Sequence, residues 1–152
     1  MTRLFVLACI MMTCVGCGVR QPITHYRGTT ITQSTPEAIA MDVEFEISNT
    51  NAIPLQLMKY NYAVSSGGQT VYVGFASAEK TVPHSSSIMS SVPVVIPRSV
   101  VLGKDSVSWK LVGTLGYIPP RAMSETLFET GIWKPSTSIR AHGLIEVPAI
   151  TN

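Results

Sequence analysis

After residue 17 the sequence contains no cysteine; its three cysteines, Cys9, Cys14 and Cys17, all stand at the start of the chain. An internal disulfide or a cysteine-built metal site is thereby excluded from everything that follows. Long apolar runs are missing as well. A spanning helix needs about 20 apolar residues, whereas the stretch that begins at Leu4 ends at Val15, before Gly18 and Arg20. Charge is sparse and scattered: leaving out Arg3, 10 Lys and Arg stand against 9 Asp and Glu, without the basic stripe that a nucleic-acid partner would require.

Motifs that carry catalysis are equally scarce. No P-loop, G-x-G-x-x-G, G-x-S-x-G or H-E-x-x-H occurs. Ser77-Ala78-Glu79-Lys80 matches S-x-x-K, but that motif works at the start of a helix with partner motifs elsewhere, and here it ends a strand-like run with neither S-D-N nor K-T-G after it. His25, His84 and His142 fall in a tether, a turn and a strand, too dispersed to supply the three or four ligands of a zinc site. The expectation is a non-enzymatic protein with no catalytic, cofactor or metal residues.

What is present begins with a targeting segment. Arg3, the apolar stretch Leu4–Met12 and small residues up to Gly16 have the layout of a secretory signal. Cys14-Val15-Gly16-Cys17 resembles the lipobox of bacterial lipoproteins, in which a small residue precedes a cysteine that is acylated and becomes the mature N-terminus. Gly16 and Cys17 match that pattern; Cys14 stands where leucine is usual. The resemblance implies residues 1–16 as a lipoprotein signal peptide, Cys17 as the lipidation site, and a membrane partner held through N-terminal acyl chains. Two or three chains anchor durably where one alone is marginal. Gly18 follows the acceptor in place of the aspartate that signals inner-membrane retention, so in a two-membrane bacterium the expected location is the outer membrane, facing the periplasm.

Removing residues 1–16 from the 152 leaves 136, enough for one domain with one core. Residues 17–36 mix Pro, Gly and Thr without a sustained period and read as a lipidated N-terminus and tether, to which "ITQST" could add a short edge strand. The domain is expected over 37–150. Ile39, Met41, Val43, Phe45 and Ile47 alternate with polar and small residues, and strand geometry puts Asp42, Glu44 and Glu46 together on the opposite face. Period two returns at Val71–Phe75, Ile88–Ile96, Val107–Tyr117 and Ile139–Val147, between the turn signals "NTN", "SSGG", "PHSSS" and "LGKDS". Gly67-Gly68 marks the most definite hairpin, and Pro93 belongs on an edge or at a bulge. The fold class is all-β, an antiparallel β-sandwich of about seven strands with at most one short helix, near residues 121–128. Residues 119–138 form an otherwise irregular excursion, long for a compact domain.

Asn49-Thr50-Asn51, Ile53-Pro54-Leu55, Tyr60 and Tyr62, Gly67-Gly68, Gly74, "SVPVVIP" and Gly143-Leu144-Ile145-Glu146-Val147-Pro148 follow one another as in the late embryogenesis abundant (LEA) type 2 family and its WHy domains, which the chain resembles over residues 39–148. Thr50 replaces the proline of the family's Asn-Pro-Asn. The resemblance implies a fibronectin- or immunoglobulin-like sandwich, non-enzymatic, linked to desiccation and stress tolerance. Asn49 and Asn51 are expected to act structurally, as turn residues. The alternatives are an assembly lipoprotein that meets a protein partner through an edge strand or residues 119–138, and a lipid carrier using space left at Gly113, Ala141 and Gly143.

Overall fold

The alternation at Ile39–Ile47 is realised as a strand whose five apolar side chains are all buried, while Glu44 on the other face is exposed. This strand is β2 (Ala38–Asn49) in the computed structural model, which describes residues 19–120 and 124–147. The other elements are β1 (Ile23–Ser34), β3 (Leu55–Ser66), β4 (Gln69–Val82), β5 (Ser86–Pro97), the single helical turn α1 (Arg98–Val101), β6 (Ser106–Ile118), α2 (Ser124–Glu129) and β7 (Ser136–Glu146). They form two antiparallel sheets, β1-β2-β5 and β4-β3-β6-β7. The all-β sandwich of seven strands is therefore as the sequence implies, in a fibronectin-like three-plus-four arrangement. One helical turn, α1, is additional to the single short helix expected.

The core lies between the sheets. Ile39, Met41, Val43 and Ile47 of β2 sit opposite Ile96, Val94, Val92 and Ile88 of β5, and the facing sheet contributes Leu55, Leu57, Tyr60, Tyr62, Val64, Leu111, Leu115 and Ile139. Each fully buried side chain of this size is worth about 1.5–3 kcal/mol in apolar transfer alone. Tyr26 packs edge-on against Phe45 and Trp109, with ring centroids 6.3 and 6.1 Å apart, joining the first strand to both sheets. The Tyr62 hydroxyl crosses the core to donate to the Pro93 carbonyl, and burial pushes the phenol's pKa up.

Local signals explain most boundaries. Gly67 and Gly68 both have positive φ, the backbone a two-residue reversal demands, and connect β3 to β4. Ser34-Thr35-Pro36-Glu37 resembles a helix capping box, yet Thr35 closes a tight turn onto Ala38 through both backbone and hydroxyl. Pro93 lies on β5, an edge strand.

Two readings are corrected. Residues 23–34 are not tether but a twelve-residue strand, and His25 belongs to it. Its inward positions, Thr24, Tyr26, Thr29, Ile31 and Ser34, pair with Ile47, Phe45, Val43, Met41 and Ile39, and register shifts after Tyr26 and after Ile31 space them by two, three, two and three. No fixed period survives two bulges. The second correction concerns room for a lipid between the sheets. A Cβ on Gly113 would lie 2.4 Å from the Asn61 carbonyl oxygen and 2.7 Å from Tyr62 Cβ, and one on Gly143 would meet the Trp109 ring at 3.2 Å. Neighbouring groups take up the space at Gly113 and Gly143, so these two positions do not provide the room for a lipid that their small size implies.

Candidate functional site

The alternation of β3 breaks at Leu57-Met58-Lys59-Tyr60. Leu57 and Tyr60 are both buried, and the register against β6 slips between them, so a bulge places the two intervening residues on the outer face of the four-stranded sheet. Across from them, β4 pairs Tyr60, Tyr62 and Val64 with Ala76, Gly74 and Tyr72. This register sends Tyr72, Gly74 and Ala76 towards the core and turns Val73 and Phe75 to solvent, 74% and 70% exposed. Val73 and Phe75 thus share a face, as the sequence implies, but it is the outer one, whereas Val71, at the register shift between Ser65 and Val64, packs against the core. The Lys59 ammonium lies 3.9 Å from the centroid of the Phe75 ring, a cation–π contact worth about 0.5–1 kcal/mol at an exposed site.

The excursion after β6 folds over this face. Phe128 of α2, together with Glu129, Lys134 and Pro135, forms one wall of a groove of about 730 Å3, and Met58, Lys59, Asn61 and Thr114 form its floor. A neighbouring hollow of about 450 Å3, bounded by Leu57, Met58, Phe75 and Phe128, extends it towards β4. The segment is tied down by backbone bonds from Tyr117 N to Pro135 O and from Trp133 N to Leu127 O. Apolar bodies with amide, hydroxyl, ammonium and carboxylate groups at the rim suit binding an amphipathic partner.

Elsewhere the residues singled out from sequence are structural. Asn49 is buried; its amide nitrogen donates to the carbonyls of Ile53 (2.8 Å), Val82 (3.3 Å) and Pro83 (3.1 Å), and its oxygen accepts from Asn51 N (3.0 Å) and Nδ2 (2.8 Å). It staples the β2–β3 loop to the end of β4. Asn51 in turn bonds the backbone of Arg20, accepting from its N–H at 2.8 Å and donating to its carbonyl at 2.9 Å.

Ser77 Oγ donates to Glu79 Oε1 at 2.6 Å and Lys80 Nζ donates to the Met89 carbonyl at 3.0 Å, so the S-x-x-K residues face separate partners. His25, His84 and His142 lie in β1, a turn and β7, and among the described residues no three His, Cys, Asp or Glu gather as a metal site. No described helix is long and apolar enough to cross a membrane. Cys17 and the signal segment lie outside the described residues, as do 121–123 of the expected helix, which is seen as Ser124–Glu129. The groove was not read from the sequence; its one local signal is the broken alternation at Met58-Lys59.

No family model matches the sequence, and no curated protein matches it. Solved structures do. The fold is similar to that of a candidate late embryogenesis abundant protein, At2g46140.1, with a TM-score of 0.65 and 15% identity over 97% of this chain and 83% of that one. It is also similar to AT1g01470 from Arabidopsis thaliana (TM-score 0.62, 11% identity, 89% and 87% coverage) and to a protein from Archaeoglobus fulgidus (0.52, 9%, 88% and 100%). At such identities the likeness is one of architecture, and the chain has an LEA-like β-sandwich fold.

Proposed function

We propose that this protein is a non-catalytic binding or stabilising module of the LEA type 2/WHy kind, acylated on Cys17 and held at a bacterial cell envelope, where it serves in desiccation or osmotic stress. The observation that carries the binding reading is the outer face of the four-stranded sheet. Val73 and Phe75 occupy solvent there although the same strand supplies inward residues, and they border a groove built by a bulge and an inserted helix. Exposed apolar patches rimmed by polar groups are typical of interaction sites. The LEA-like architecture supports the stress-related part, and Gly16-Cys17 after a short apolar stretch supports the anchor.

The test combines deletion with native mass spectrometry of the gently extracted protein. Loss of survival under drying or osmotic stress is expected, with no stoichiometric protein partner. Normal survival together with a co-purifying protein would replace this reading by assembly, a role favoured by the position of Phe128, Glu129, Lys134 and Pro135 along the groove. For the anchor, Cys17→Ser should abolish lipid labelling while Cys14→Ser leaves it intact.

A further inference from the structure

The chain is fastened to the sandwich from its first described residue onward. Val19 packs against the core, the Arg20 backbone exchanges two hydrogen bonds with the Asn51 side chain, and the Pro22 carbonyl accepts from the buried Thr137 hydroxyl at 3.0 Å. Thr24 Oγ1 then donates to the Ser138 carbonyl at 2.9 Å. Only Gly18 separates Cys17 from Val19, so at about 3.3–3.6 Å per residue the two Cα atoms lie within about 7 Å.

All four attachments sit at one end of the sandwich, the end that carries the β2–β3 loop (50–54), the β4–β5 turn (83–85) and the β6–β7 connection (119–135). From this arrangement we propose that this end is a bilayer-contact surface, resting directly on lipid headgroups with Ile132 and Trp133 in the interface. The inference rests on the acylation of Cys17 proposed above. Ile132 is 76% exposed and Trp133 39%, and Ile23, at the start of β1, is 47% exposed at the same end. Tryptophan favours the headgroup level because its ring is apolar and its N–H wet. The loops 50–54 and 83–85 contain no Asp or Glu, and in the 119–135 connection Glu125 and Glu129 are matched by Arg121 and Lys134, so the three loops together carry no net negative charge to repel anionic lipid. A free tether over 17–36 would have let any face meet the membrane; the fastened one leaves a single choice.

The buried Trp109 supplies an internal control. It lies nine residues from Ile118 along β6, about 30 Å from the proposed contact end at a strand rise of about 3.3 Å per residue. In protein beginning at Cys17, that residue is the only cysteine. Its thiol can be coupled to maleimide-headgroup lipid in phosphatidylcholine–phosphatidylglycerol vesicles, with or without bromine on the acyl chains. Brominated vesicles should quench part of the tryptophan emission, and Trp133→Phe should abolish that loss while the Trp109 signal remains. Absence of quenching in the coupled protein, or quenching that persists unchanged in Trp133→Phe, would overturn the proposal. Because coupling is chemical, this result is independent of processing in the cell, which the lipid labelling of Cys17→Ser reads separately.

Discussion

Strands β2 and β4 carry the same kind of pattern and use it in opposite ways. In β2 the alternate apolar residues Ile39–Ile47 are fully buried; in β4 the alternate residues Val73 and Phe75 face solvent while Tyr72, Gly74 and Ala76 face the core. Period two identifies a strand, but which face is buried is fixed by register against its neighbours. For β2 both neighbours and the pattern agree. For β4 the register that leaves the Gly67-Gly68 turn would set Val71, Val73 and Phe75 opposite inward Val64, Tyr62 and Tyr60. A shift between Ser65 and Val64, with Val71 as the extra residue, puts Tyr72, Gly74 and Ala76 there instead and overrides the pattern. An apolar face left outside against its own sequence preference is a reason to look for a partner there.

The contrast can be broken most sharply by substitution. Phe45→Ala should lose about 3–5 kcal/mol, from burial and the cavity left behind, a large part of the about 5–15 kcal/mol such a domain has. Asn49→Ala should lose about 2–3 kcal/mol, because the carbonyls of Ile53, Val82 and Pro83 lose a shared donor at a buried site. Phe75→Ala should lose less than about 1 kcal/mol, mainly the Lys59 contact, although the ring equals that of Phe45 in size. Glu44→Ala, beside Phe45 on the solvent face, should stay within about 0.5 kcal/mol. Denaturant melts of the four variants rank them; a Phe75→Ala loss equal to that of Phe45→Ala would mean the outer face is not outside.

The smallest effect concerns pH. Hydrogen bonding to Arg27 holds the Glu46 carboxyl below its ordinary pKa. A depressed carboxyl adds stability above its unfolded pKa and loses it as pH falls through the folded one. Arg27→Ala should therefore flatten the stability profile slightly on the acid side and leave it unchanged below both values, measured by melts from neutral to acid pH.

The parts of the fold legible in the sequence are those where one period, one face and one neighbour agreed: β2, the inward runs of β5, β6 and β7, and the glycine turn. Strand β1 was hidden because two bulges change its inward spacing and because its inward residues include Thr24, Thr29 and Ser34, which carry little hydrophobic signal. The structural role of Asn49 and Asn51 was legible from turn chemistry; that Asn51 binds the Arg20 backbone was not, since that contact spans 31 residues. The groove needed both a local irregularity at Met58-Lys59 and a wall from residues 128–135, and no local pattern joins them.

Pro93 has one more consequence, for the growth of the sheet. It stands opposite Asp42, midway along β5, and the next strand in that direction would have to be supplied by another molecule. A proline is tolerated in a paired strand where its missing N–H points away from the partner, so the gap in donors lies on the open side. An incoming strand would find its hydrogen-bond ladder interrupted at the centre, and Pro97 closes the same edge at its end. Crowded together, such sandwiches can lie side by side without zipping together through β5.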